Sequence, residues 1–197
     1  MCPGGYVVAA TSEPGKVVTN GMSYADREGT NANAALLVTV NPKDFPFEGP
    51  LGGMMWQRQI EEKAFSAGGG NYYAPAQRVE DFLLHRPSTG AGVVIPTYRP
   101  GVTWCDLHSV LPEQITESLK EALPLLDGNL KGFADGDSVL TAPETRSSSP
   151  VRILRGENKE SLGLAGLYPA GEGAGYAGGI MSAAIDGMLC AEAMLTQ

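Results

Sequence analysis

The chain has 197 residues, 43% of them hydrophobic, and a net charge of −8 from 14 Lys and Arg against 22 Asp and Glu, so it has the apolar content for an ordinary domain core and is not a disordered acidic chain. No basic block or Arg-rich stripe interrupts the acidic balance, which excludes a phosphate-backbone footprint and with it a nucleic-acid partner. No apolar run approaches the roughly 20 residues that span a bilayer, and three dispersed cysteines, Cys2, Cys105 and Cys190, read as reduced thiols, so the expectation is a cytoplasmic protein without a membrane partner.

Gly and Pro together make one residue in five, which predicts many tight turns. Tyr6 to Ala10 and Lys16 to Thr19 read as an antiparallel pair around the turn Glu13-Pro14-Gly15, and Asn20-Gly21 as the next turn. Ala35 to Val40 reads as a buried strand ended by Asn41-Pro42. The spacing of Trp56, Ile60 and Ala64 predicts a helix over Leu51 to Phe65 with Arg58, Glu61 and Glu62 facing water, stopped by Gly68-Gly69-Gly70. A shorter helix is expected from Ala76 to Leu84. Pro112 opens a helix with Ile115, Leu119, Ala122, Leu123 and Leu126 on its apolar side, and Pro124 predicts a kink or a second short helix. Ser138 to Ala142 and Val151 to Leu154 are expected strands flanking the polar segment PETRSSSP.

The C-terminal stretch has a different texture. It reads GLYPAGEGAGYAGGIMSAAIDGMLCAEAMLTQ from Gly166 onward. The pattern predicts a short strand from Gly166 to Ala170, a glycine loop, and a helix whose face carries Ile180, Ala184, Gly187, Met188, Ala191 and Leu195. A helix N-terminus presents unpaired backbone donors, and glycine lets a phosphate or flavin edge approach them without meeting a Cβ. Gly178, Gly179 and the N–H of Ile180 are best placed for this, while Glu172 is suited to a sugar hydroxyl. Gly171, Gly173 and Gly175 do not form the usual dinucleotide fingerprint, because too little chain follows for the βαβ unit of about 30 residues.

The segments CPGGYVV, VTNGMSYADREGTNANAALLVTV, APAQRVEDFL, ETRSSSPVRILR and GLYPAGEGAGYAGGIMSAAIDGMLCAE resemble the C-terminal portion of the bacterial FAD-dependent dehydrogenases. The resemblance runs over nearly the whole chain. It implies an α+β fragment of a two-part FAD-binding flavoprotein, with residues 1–150 as a cap or substrate domain and 151–197 as the C-terminal strand-loop-helix that returns to complete the FAD domain. Those relatives carry a preceding FAD-binding region with the pyrophosphate-binding glycine loop. The implied partner is therefore that N-terminal region, and the isolated fragment is expected to be inactive and to bind little or no FAD. By the same resemblance Gly171 and Glu172 approach the ribityl and pyrophosphate region, Gly173 and Gly178 belong to the same loop, and Gly179 and Ile180 meet the flavin through backbone groups.

Other residues carry two readings each. Arg146, beside Ser147, Ser148 and Ser149, is either part of a solvated turn or a polar lining for flavin or an anionic substrate, its donor fork suited to a carboxylate or phosphate. Cys105, Asp106 and His108 have tempting spacing, but with His85 the only other histidine they are assigned to local packing, and no metal site or nucleophile is expected. Asn20 to Ser23, Asn31 and Asn33 read as turn or backbone-bonding residues, and Trp56 and Trp104 as core or cap anchors. The functional expectation is part of a flavin oxidoreductase that moves hydride or electrons to or from an unidentified small molecule, with no catalytic residue assigned. The alternative is a non-enzymatic binding or interaction module that kept flavoprotein architecture.

Overall fold

Ala74–Arg78 (β3) lies at the centre of a three-stranded sheet in a computed structural model that describes residues 3–196. Val102–Trp104 (β4) runs parallel to it, with Ala74 opposite Val102, and Val139–Thr141 (β5) runs antiparallel, with Gln77 opposite Leu140. The short helix Val79–Leu83 (α2) leaves β3 directly. The segment expected to be helical from Ala76 is thus half strand. Ala74, Pro75, Ala76 and Gln77 are all buried, as a central strand covered on both faces requires. Pro75 contributes no N–H to the ladder, and its carbonyl accepts from Ala142 N–H at 3.1 Å.

Helix and strand are mixed throughout, and the fold is α+β. Gly5–Ala9 (β1) pairs antiparallel with Thr19–Ser23 (β2), Gly5 opposite Ser23 and Ala9 opposite Thr19. Asn20-Gly21, expected as a turn, therefore lies inside a strand. A Cβ on Gly21 would stand 2.8 Å from Asn33 Nδ2, and that amide uses the space to donate to the carbonyls of Tyr6, at 2.8 Å, and Met22, at 3.2 Å. Ala35 to Val40 forms no strand, and Leu37 is exposed.

Gly52–Ala67 (α1) buries Trp56, Ile60 and Ala64 as the spacing predicts. It also buries Glu61, which was expected in water; Thr145 Oγ1 donates to its carboxylate at 2.7 Å. Glu113–Asn129 (α3) runs through the exposed Pro124 as one helix and not as two short ones. Two apolar clusters hold these pieces: Val17, Ala64, Ala74, Tyr98 and Val110 in one, Val79, Phe82, Leu107, Leu123 and Ala142 in the other.

The chain divides into two compact units, Met1–Val40 with Gln57–Thr145, and Asn41–Trp56 with Arg146–Gln197. The sheet and both clusters belong to the first. The second contains the helix Ile180–Leu195 (α4) and the irregular chain before it, where Val151 to Leu154 and Gly166 to Ala170 form no strands. Phe45 and Trp56 pack together there at 5.7 Å between ring centres. The face expected to bury Ile180, Met188 and Leu195 is instead exposed, and the covered side carries Asp186, Gly187 and Cys190. Asp186 on that side pairs with Arg155, both side chains being largely buried. Among the described residues no helix is long and apolar enough to cross a membrane.

Candidate functional site

The glycine loop and α4 are held by a polar knot that the sequence reading missed. Arg155 Nη2 meets Asp186 Oδ1 at 2.5 Å and Nη1 meets Oδ2 at 3.0 Å, with the side chains 7% and 12% exposed. Nη1 also donates to the carbonyl of Pro169 at 2.6 Å. The guanidinium lies over the Tyr176 ring, 3.6 Å from its centre, a geometry in which the ring quadrupole attracts the cation. Gly171 N–H donates to Asp186 Oδ2 at 2.8 Å. Hydrogen bonding by Arg155, more than burial opposes it, pulls the Asp186 carboxyl down to about 2. The signal available in sequence was a lone carboxylate within the apolar run MSAAIDGMLCA.

The segment from Ser149 to Arg155 runs along the loop. Ser149 Oγ donates to the carbonyl of Gly173 at 3.2 Å, Ile153 N–H to that of Ala174 at 3.1 Å, and Arg152 Nε to that of Gly175 at 2.9 Å. Gly175 has φ +84°, and a Cβ there would collide with the Val151 carbonyl oxygen. Gly173 and Gly178 have open space where a Cβ would stand, so their backbones are approachable from outside. Gly179 is the N-cap of α4, extended at φ −167° and without a side-chain cap, and Ile180 beyond it is 91% exposed. An uncapped helix start beside glycine is chemically a seat for an anion or a polarisable ring edge.

Gly171, Glu172, Gly173, Gly178, Gly179 and Ile180 thus share one loop and helix start. Both backbone groups of Gly171 are engaged within the loop: its N–H donates to Asp186 Oδ2 and its carbonyl accepts from Tyr176 N–H at 3.0 Å. Arg146 is half-buried at the start of the second unit, in irregular chain. Cys105 packs against both apolar clusters, and burial pushes its thiol above the ordinary value, the opposite of an activated nucleophile. Asn31 and Asn33 bond backbone carbonyls, and Trp56 is a buried anchor.

A family profile described as FAD-dependent protein, C-terminal domain-like, matches residues 1–147. An uncharacterised protein of Clostridium beijerinckii is 54% identical over 192 residues, 98% of this chain and 36% of the relative. The chain belongs to this family of FAD-dependent protein C-terminal domains. It spans about a third of the length of the curated relative that it matches.

Proposed function

We propose that the chain is the C-terminal part of an FAD-dependent oxidoreductase of the dehydrogenase type, which passes hydride or electrons through flavin to or from a small molecule. Residues 1–150 act as the cap or substrate domain, and residues 151–197 return to the FAD-binding region. The observation that carries this reading is the open glycine loop ending in the uncapped α4, in a chain of a family described as FAD-dependent.

Gly178, Gly179 and the N–H of Ile180 would meet the cofactor through backbone, and Glu172 would accept from a sugar hydroxyl. When bound, FAD supplies the hydride or electron chemistry. The chain's own contribution is to hold its loop open through Arg155 and Asp186 and to keep the helix start uncapped. Arg146 would face an anionic group of the cofactor or substrate.

The test is made in an intact polypeptide that carries this chain and the preceding region. Glu172→Ala lowers flavin occupancy, and restoring equal flavin content rescues its flavin reduction rate; Arg146→Ala keeps its defect after the same correction. Wild-type occupancy and reduction in both variants would remove both residues from the site.

A further inference from the structure

The chain has two histidines, and the fold brings both to one carboxylate. His85 follows α2, and His108 sits in the one-turn helix Leu107–Ser109 that Asp106 caps. Their rings stack at 3.9 Å between centres and 10° between planes, with Phe82 on His108 at 4.7 Å. His108 Nδ1 lies 2.7 Å from Asp106 Oδ1, which also accepts from the backbone N–H of His108 at 3.0 Å and faces Gln77 Nε2 at 3.5 Å. The other oxygen, Oδ2, stands 3.9 Å from His85 Nε2. One ligand atom from each of the three residues lies within 4.8 Å of the others.

We propose that His85, Asp106 and His108 form a binding site for a divalent transition-metal ion of the zinc type, separate from the glycine loop and independent of any flavin role. The gap between Asp106 Oδ2 and His85 Nε2 is too long for a hydrogen bond. Two donors bonded to one ion at about 2.0–2.1 Å stand about 3.4 Å apart in a tetrahedron, so a closure of about half an ångström brings this pair to bonding distance. His108 supplies the third donor. Its side chain is 8% exposed; Nδ1 is held by Asp106 at 2.7 Å, and Nε2 is buried with no hydrogen-bond partner among the described residues. Asp106 and His108 are fixed by the capping bonds and by the buried Gln77 amide, whose Oε1 accepts Leu107 N–H at 2.8 Å.

His85 is the moving member. Its side chain is 57% exposed and its backbone φ is +52°. The near-parallel rings direct their nitrogens side by side rather than at one point, so capture requires His85 to tilt away from the stack. That motion predicts micromolar rather than nanomolar affinity. Imidazole and carboxylate donors favour Zn²⁺, Co²⁺ or Ni²⁺ over Mg²⁺ and Ca²⁺, which take oxygen cages. Three protein donors leave a further position open to water.

Zinc chloride and cobalt chloride titrated into the 197-residue chain, followed by calorimetry and by the visible absorption of Co²⁺, test the site. The expected result is one ion per chain with a Kd on the order of 1 μM, no binding of Mg²⁺, and a cobalt spectrum without the sulfur charge-transfer band that cysteine ligation would give. His85→Ala changes an exposed side chain, so the fold is retained, and affinity falls at least about tenfold; Asp106→Asn weakens it by about 10–100-fold. Absence of saturable binding at about 100 μM Co²⁺, a thiolate spectrum, or unchanged affinity in folded His85→Ala would overturn the proposal.

Discussion

Arg155 and Asp186 stand 31 positions apart in sequence and face each other through two parallel hydrogen bonds, at 2.5 and 3.0 Å. The pair joins the chain before the glycine loop to the helix after it, and Gly171 N–H joins the same carboxylate at 2.8 Å. Removing either charge leaves the other buried without compensation.

Asp186→Asn is therefore expected to lower stability by about 3 kcal/mol, read by urea denaturation, with hydrogen exchange rising first in α4. The folded-state carboxyl titrates near 2, below the ordinary 3.8. Its stabilisation is complete above the ordinary value and is lost as pH falls through about 2. The difference between wild type and Asp186→Asn should accordingly close over that acid window and stay constant above pH about 5.

Two glycines of the same loop should respond oppositely. Gly175 has φ +84° and a carbonyl oxygen where its Cβ would stand, whereas Gly173 has open space there. Gly175→Ala is expected to cost about 2 kcal/mol or more, and Gly173→Ala less than about 1 kcal/mol. Urea midpoints of the two variants check this, and equal losses would contradict the crowding at Gly175.

The residues that sequence made legible are those whose own chemistry decides their structure. Trp56, Ile60 and Ala64 declare a buried stripe by spacing, and Gly179-Ile180 marks the start of α4. What escaped depends on partners far along the chain. Ala74 to Gln77 has poor strand propensity and becomes a strand because β4 and β5 flank it. Glu61 is read as a surface carboxylate until Thr145 is seen to bond it. The inward face of α4 carries Asp186, which pairs with Arg155. His85 and His108 meet through packing around Phe82, which local spacing cannot report. The loop was legible and the knot that holds it was not.

The isolated chain should bind FAD more weakly than about 1 μM, an affinity equivalent to about −8.2 kcal/mol and a large demand on one loop and one helix start. Titration followed by flavin fluorescence and calorimetry checks it. Stoichiometric submicromolar binding would mean that this chain alone supplies most of the cofactor contacts.

Flavin occupancy of Gly179→Val in the intact polypeptide is the most direct measurement of cofactor approach at α4. The backbone of Gly179 is extended at φ −167°, a conformation open to any residue, and the nearest atom to an added Cβ is Ser182 Oγ at 3.7 Å, an ordinary contact. Gly128, in α3 with nothing within 4 Å of an added Cβ, is the control. The predicted result is a folded Gly179→Val protein with flavin affinity reduced at least about tenfold, roughly 1.4 kcal/mol, and a Gly128→Val protein with wild-type affinity. Equal flavin retention by folded Gly179→Val and wild-type proteins would contradict cofactor binding at this loop.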